Sequence, residues 1–122
     1  MGLCVSEWKG RMASKGFELT VQQDSGDTMK VAVAGAIDLS CACDFDDALR
    51  RVERDAPGQL VLDLRRLDFM DSAGLSRLVA LHTRCRRASR RLTLVRGPKA
   101  VERLLALARL DDEFDVVADP AA

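Results

Sequence analysis

The sequence predicts a single α/β domain in which a mixed sheet of four or five strands carries its helices packed on one face. The chain has 122 residues, of which 48% are hydrophobic, enough to build one packed core. Segments with the two-residue period of strands alternate with segments that have the period of helices. Turn-forming residues separate these segments, and a repeated strand–helix–strand order implies right-handed crossovers between parallel strands.

The first two strands are expected to form an antiparallel hairpin. Residues 17–21 alternate apolar and polar side chains, which is typical of a half-buried strand. Residues 24–27 have the composition of a turn. A second strand is expected at residues 29–37, where Val31 and Val33 continue the apolar pattern.

Three helices and the remaining strands follow in alternation. Ser40 is the predicted N-cap of the first helix, and apolar residues recur at helical spacing from there to Arg54. Residues 60–64 form an almost continuous apolar run, as buried parallel strands do. The later elements are expected as a helix after Ser72 with Leu75, Leu78, Val79, His82 and Cys85 on one face, a strand at 92–95, a helix from Gly97 to about Ala108, and a short strand at 114–117.

The domain is expected to span residues 17–118. Residues 1–16 contain three glycines and few apolar anchors, so they are interpreted as a leader outside the domain, either a tail or one short helical turn around Trp8 and Met12. Residues 119–122 are interpreted as a C-terminal tail.

Composition excludes several classes of function. The 19 basic residues balance 19 acidic ones, whereas nucleic-acid binders normally carry a basic excess. No apolar run approaches the roughly 20 residues needed to cross a bilayer, and no signal peptide is recognisable, so we expect a soluble cytoplasmic protein. The four cysteines (Cys4, Cys41, Cys43 and Cys85) lack the spacing of a metal site or a disulfide framework, so we expect reduced thiols, no metal and no cofactor.

Polar residues follow two strands that are expected to be neighbours. Asp38 comes at the end of the second strand, and Asp71 and Ser72 lie between the third strand and the second helix. Functional groups gather at the carboxyl ends of parallel strands. We therefore expect these three residues at one sheet edge, as an acidic surface with one hydroxyl at a helix N-terminus.

The pattern does not favour an enzyme. A catalytic Ser72 would need a base within hydrogen-bond reach, and the only histidine, His82, lies ten residues along the same helix, about 15 Å away. Asp38 and Asp71 could form an acid–base pair, but no substrate pocket is indicated. Taken alone, Ser72 is also explained as a helix-capping residue.

The chain resembles the STAS domain of anti-sigma factor antagonists over about residues 17–118. The resemblance is carried by four motifs: the strand ending Asp63-Leu64, the signature Asp71-Ser72-Ala73-Gly74-Leu75 with its lead-in Leu67-Asp68-Phe69-Met70, the later segment Val101-Glu102-Arg103-Leu104-Leu105 with the closing Leu110-Asp111-Asp112-Glu113-Phe114, and the upstream Gly35-Ala36-Ile37-Asp38.

This resemblance implies a phosphorylation switch at Ser72. In the family, the serine after the motif aspartate is phosphorylated by a GHKL-type serine kinase that is also the anti-sigma factor. The unphosphorylated antagonist binds this kinase and frees the sigma factor, and a serine phosphatase restores it. The implied partner-binding residues are Asp38, Asp71, Ser72, Ala73, Gly74 and Ser76.

Physical chemistry agrees with such a switch, because a phosphate adds about −1.5 to −2 charges beside Asp38 and Asp71. We expect these two carboxylates to matter more to the switch than to folding. Ala73 and Ser76 depart from the family pattern, in which position 73 is often a second Ser or Thr and position 76 is usually small or apolar. The alternative within the family is a STAS module of a stressosome or of a phospholipid-transport complex.

Overall fold

A computed structural model describes residues 10–14, 16–24, 26–107 and 115–117. These residues contain six strands and three helices, ordered β1–β2–β3–α1–β4–α2–β5–α3–β6. Their bounds are β1 Gly10–Ser14, β2 Phe17–Gln23, β3 Thr28–Ile37, α1 Ala42–Glu53, β4 Gln59–Met70, α2 Ser72–Arg87, β5 Arg91–Val95, α3 Lys99–Leu107 and β6 Asp115–Val117.

The strands form one mixed sheet in the order β1-β2-β3-β4-β5-β6. Strand β2 pairs antiparallel with β1 and with β3, and β3, β4, β5 and β6 pair in parallel. The predicted hairpin is confirmed, since Leu19 of β2 lies opposite Val33 of β3. The three helices that follow β3 separate the parallel strands, as crossover connections require.

One core joins the sheet to all three helices. Alternate residues of β2 and β3 are buried on the same side, and the rings of Phe17 in β2 and Phe45 in α1 meet edge to face with centroids 5.8 Å apart. The cluster also contains Leu64 of β4, Leu78 of α2 and Leu105 of α3. On the opposite side of the sheet, Thr20, Ala32 and Asp63 line a shallow depression. The predicted α/β class, with helices on one face, is therefore confirmed.

The sheet extends into the segment that we interpreted as a leader. Residues 10–14 form β1, which pairs antiparallel with β2 and places Met12 opposite Leu19. Met12 is partly buried and packs against the core. The described residues thus contain one strand more than the four or five expected, and the sheet begins seven residues before residue 17. Residues 1–9, 15 and 119–122, the rest of the expected leader and tail, lie outside the described residues.

Two further element boundaries differ from expectation. Strand β4 continues past Leu64 to Met70, because β3 keeps pairing with it across two register shifts. Helix α1 has Cys41 rather than Ser40 at its N-cap. The expected ends of the last helix at residue 108 and of the last strand at residue 114 lie outside the described residues.

No helix in the described part of the chain is both long enough and apolar enough to cross a membrane.

Candidate functional site

The carboxyl ends of β3 and β4 bring Asp38 and Asp71 to the same sheet edge. These strands pair in parallel, and their last residues, Ile37 and Met70, lie opposite each other. The amide of Asp71 donates to the carbonyl oxygen of Ile37 at 3.1 Å, which extends the ladder by one bond. The two aspartates predicted from the sequence therefore follow neighbouring strand ends, and Ser72 comes next as the first residue of α2.

The carboxylate of Asp71 joins α2 to the loop after β3. One oxygen accepts hydrogen bonds from the amides of Ala73 and Gly74 at 2.9 and 3.1 Å, so Asp71 is the N-cap of α2. The other oxygen accepts from the amide of Leu39 at 3.1 Å. Three backbone bonds to one side chain stabilise both the helix start and the loop. Asp71 thus has a larger structural role than we expected from the sequence.

Asp38 organises the short loop between β3 and α1. Its carboxylate accepts from the Ser40 hydroxyl at 2.5 Å and from the Ser40 amide at 3.0 Å. These bonds, with the side-chain bond from Ser40 contributing most, lower the pKa of Asp38 below its reference value. The Ser40 hydroxyl and amide therefore both donate to the Asp38 carboxylate, which closes this turn. The N-cap of α1 is Cys41, which makes no side-chain capping bond.

The hydroxyl of Ser72 lies on the surface at the start of α2. Ser72 is exposed, and Ser76 one turn later is exposed as well. The Ser76 hydroxyl donates to the carbonyl oxygen of Ala73 at 2.7 Å, a bond within its own helix. Ala73 is half-buried, and its backbone amide donates a hydrogen bond to the Asp71 carboxylate. Of the predicted residues, Ser72 and Ser76 thus present side chains to solvent.

Gly74 is buried and allows α2 to approach the sheet. A Cβ atom at this position would lie 2.8 Å from Ile37 Cγ2, 2.8 Å from Met70 Cγ and 3.2 Å from the Ile37 carbonyl oxygen. Only a residue without a side chain fits between these strand ends without displacing them. Gly74 therefore holds Ser72 at the sheet edge through packing and offers no side chain to a partner.

Exposed apolar side chains accompany this site and were missed by the sequence reasoning. Leu39 is 79% exposed, and its amide is the one bonded to Asp71. Phe69, 49% exposed, comes two residues before Asp71, and Val79, 38% exposed, lies on α2 one turn beyond Ser76. The sequence had placed Val79 on the buried face of α2. Exposed apolar residues mark a protein-binding surface where they form a contiguous patch, and their exposure is visible only in the folded chain.

The chemistry available at this edge is that of an accessible hydroxyl flanked by carboxylates. The only histidine of the chain, His82, lies ten residues along α2 from Ser72, about 15 Å at the rise of an α-helix. A general base for nucleophilic attack by Ser72 would have to come from another group. The exposed hydroxyl is instead placed where a second protein can reach it.

Comparisons with known proteins agree with this geometry. The family described as "Mlab, STAS domain" matches residues 20–118. A STAS-domain containing protein of Pseudomonas aeruginosa is 26% identical over 91 residues, which cover 75% of this chain and 89% of that protein. The family match spans most of the sheet and all three helices.

Solved structures show the same fold. An anti-sigma factor antagonist from Mycobacterium paratuberculosis superposes with a TM-score of 0.80 and 28% identity, covering 89% of this chain and 92% of that one. The anti-sigma factor antagonist SpoIIAA in its unphosphorylated form gives a TM-score of 0.69 at 15% identity, covering 83% and 89% of the two chains. The resemblance inferred from the sequence motifs is confirmed. With the family match spanning far more than half of its residues, the chain belongs to the STAS domain family.

Proposed function

We propose that this protein is an anti-sigma factor antagonist that binds an anti-sigma factor serine kinase of the GHKL type and is switched off by phosphorylation of Ser72. The observation that carries the proposal is the exposed hydroxyl of Ser72 at the first position of α2. A kinase must reach its target hydroxyl from solvent, and this hydroxyl is accessible without any movement of the domain. Similarity to an anti-sigma factor antagonist at 28% identity supports the same role.

The surroundings of Ser72 supply a surface for the partner. Leu39 and Val79 are exposed apolar side chains near it, and Ser76 adds a second exposed hydroxyl. Burial of apolar side chains contributes affinity, while polar groups fix the orientation of the partner. The proposed interface therefore consists of Leu39, Ser72, Ser76 and Val79, held in place by Asp38, Asp71 and Gly74.

Phosphorylation would oppose this contact through charge. The amides of Ala73 and Gly74 at the start of α2 are already bonded to Asp71. A phosphate on Ser72 would have to compete with that carboxylate for them, while adding about −1.5 to −2 charges beside it. Burying that charge without a partner is costly. The modified surface should therefore lose affinity for the kinase although the domain stays folded, and a serine phosphatase would restore binding.

Binding measurements with matched variants test the proposal. By calorimetry with the candidate kinase, Ser72→Ala should bind like wild type. Ser72→Asp should bind at least a hundredfold more weakly, a loss of about 2.8 kcal/mol of binding free energy at about 1.4 kcal/mol per tenfold change. Ser76→Asp adds the same charge one turn away and should have a smaller effect. Equal affinities for all four proteins would contradict the proposal.

Gene order separates the proposal from its alternative. An anti-sigma factor antagonist should be encoded beside a kinase and a sigma factor. A STAS module of a phospholipid-transport complex should instead be encoded in a transporter operon, and a stressosome module beside sensor proteins. A transporter or stressosome neighbourhood, with no response to any kinase, would contradict the proposed role.

A further inference from the structure

Leu39 is the most exposed of the large apolar residues that the structure describes, at 79%. A single exposed leucine is common on protein surfaces and needs no explanation by itself. What distinguishes Leu39 is the short turn that carries it, because this turn is tied by hydrogen bonds to the start of α2, where Ser72 lies.

Three hydrogen bonds hold this turn between β3 and α1. The Leu39 amide donates to one carboxylate oxygen of Asp71 at 3.1 Å. The Ser40 amide donates to the Asp38 carboxylate at 3.0 Å, and the Cys41 amide donates to the Asp38 carbonyl oxygen at 3.1 Å. The backbone is therefore held on both sides of the leucine. A side chain presented on a fixed backbone loses less conformational entropy on binding than one on a mobile loop.

The bond to Asp71 also places Leu39 beside Ser72. The carboxylate that accepts from the Leu39 amide uses its other oxygen to cap α2, and Ser72 is the first residue of that helix. A typical protein interface covers about 800 Å² of each partner. A protein that docks on the Ser72 hydroxyl should therefore cover Leu39 as well.

We propose that the partner that docks on Ser72 carries an apolar pocket that binds Leu39, and that Asp71 is a positioning residue that holds Leu39 for this pocket. The inference rests on the proposed function and names the chemistry of the partner's surface. Burial of a leucine side chain contributes binding free energy by removing apolar surface from water. This contribution does not depend on the charge of Ser72, so the leucine and a phosphate act on the same complex by different means.

Asparagine at position 71 would separate the two roles of Asp71. Asparagine caps helices as well as aspartate does, so its side-chain oxygen can still accept from the amides of Ala73 and Gly74. The second terminal atom becomes an amide nitrogen, which donates hydrogen bonds and cannot accept one from Leu39. Asp71→Asn should therefore keep the start of α2 and release the turn that carries Leu39.

Binding and phosphorylation assays of the full chain with the candidate kinase test the role of Leu39. Leu39→Ala should raise the dissociation constant about tenfold or more, as expected when most of a buried leucine side chain is lost. It should also raise the KM for phosphorylation with little change in kcat, because a docking contact binds the ground state and the transition state alike. Leu39→Met, with a similar apolar volume, should bind within about threefold of wild type. Leu107→Ala, which removes a similarly exposed leucine from α3, should bind like wild type.

A double-mutant cycle tests the role of Asp71. Asp71→Asn should raise the dissociation constant about fivefold in the wild-type background and less than about twofold in Leu39→Ala, because the lost bond affects binding only through the leucine. Urea unfolding of each variant should show that the domain is folded under the conditions of the binding assay.

The leucine contact and the proposed switch fail separately. Wild-type affinity for Leu39→Ala would overturn the pocket, and weak binding of Ser72→Asp in the same experiment would leave the switch intact. Equal effects of Asp71→Asn in both backgrounds would overturn its positioning role. Absence of binding between wild type and every candidate kinase would overturn the pocket together with the proposed function.

Discussion

At the start of α2, the neighbouring residues of the motif Asp71-Ser72-Ala73-Gly74-Leu75 have different structural roles. Asp71 uses its carboxylate to bind three backbone amides. Ser72 points its hydroxyl to solvent, and Gly74 fills the space between Ile37 and Met70 with backbone alone. The motif therefore combines a helix cap, an exposed serine and a close contact between the helix and the strand ends.

Gly74→Ala should destabilise the domain by about 1–3 kcal/mol, because the added methyl group would overpack the strand ends. Alanine is ordinarily favoured over glycine inside a helix by about 1 kcal/mol, so the sign of the change is diagnostic. Ser76→Ala, at an exposed position of the same helix, should change stability by less than about 0.5 kcal/mol. Urea unfolding measures both. A Gly74→Ala variant as stable as wild type would contradict the close packing at this site.

Ser40→Ala should raise the pKa of the Asp38 carboxyl, because the Ser40 hydroxyl bond is the main cause of its lowered value. A carboxyl whose pKa is lower in the folded state than in the unfolded state stabilises the folded protein at pH values above the unfolded pKa, which is near 3.8. That contribution is lost as the pH falls through the lower folded value. Carbon-detected NMR titration of Asp38 should therefore show an upward shift in the variant. The variant should also show a weaker acid dependence of stability below about pH 4. Identical titration curves would refute the assigned cause.

The site residues that the sequence predicted are those whose position follows from topology. Asp38 and Asp71 end neighbouring parallel strands, so their proximity could be inferred from the order of elements. The role of Ser40 could not, because a serine before a helix is equally suited to cap the helix or to bond a preceding aspartate. The exposure of Leu39 depends on how a short loop turns away from the core, which local sequence patterns do not determine.

Helices α1 and α2 are joined by a network of charged side chains as well as by the core. Arg84 of α2 donates to Glu53 at 2.8–3.1 Å through two nitrogens and to Asp46 at 3.3 Å. Asp46 is 6% exposed and also pairs with Arg50 at 3.0 Å. The hydrogen bonds to Glu53 raise the pKa of Arg84. Because these groups are largely removed from water, the network is held together by mutual compensation of charge.

Arg84→Ala should lower the free energy of unfolding by about 2 kcal/mol, because Asp46 and Glu53 would lose their shared partner although both carboxylates remain largely buried. Three other arginines, Arg50, Arg77 and Arg90, also pair with these two carboxylates and keep the loss below that of a fully unpaired charge. Arg86→Ala removes an exposed arginine from the same turn and should change stability by less than about 0.5 kcal/mol. Thermal and urea unfolding of both variants measure the difference. Equal stabilities would show that the network contributes nothing beyond surface pairs.

The turn after α1 contains a residue in a conformation that favours glycine. Ala56 has a φ of 50°, in the left-handed region that costs a residue with a Cβ about 1–2 kcal/mol. Ala56→Gly should therefore stabilise the domain by up to about 1 kcal/mol, after the greater entropy of glycine in the unfolded chain is subtracted. Ala88→Gly, at a helix end with a φ of −92°, should be destabilising. Urea midpoints that move in the same direction for both variants would contradict this prediction.

At the level of elements, the sequence predicted those strands and helices whose own apolar residues recur with the period of a strand or of a helix. Strand β1 was not predicted, because its five residues include a glycine and its extended conformation is stabilised by pairing with β2. The second half of β4 was not predicted, because Arg65, Arg66 and Asp68 interrupt its apolar pattern. That half is specified by β3, whose register shifts change which residues face the core. Both errors concern structure determined by a neighbouring strand.

Across the whole molecule, the surface around Ser72 lies at the carboxyl ends of β3 and β4, away from β1, the first strand in the strand order. Ser72 is exposed and the start of α2 is fixed by Asp71 and Gly74, so we expect modification to change surface charge without unfolding the domain. Ser72→Asp should accordingly unfold within about 0.5 kcal/mol of wild type, a difference that urea denaturation resolves.

Phosphorylation itself is the most direct test of the proposed switch. Wild type, Ser72→Ala and Ser76→Ala should be incubated with each candidate kinase and ATP, and their intact masses measured. The Ser76→Ala control retains the target while removing the nearest exposed serine on α2. Wild type and Ser76→Ala should each gain one phosphate with the cognate kinase, and Ser72→Ala should gain none. A phosphate on Ser72→Ala, or unchanged masses for all three proteins with every candidate, would contradict the assignment of Ser72 as the switch.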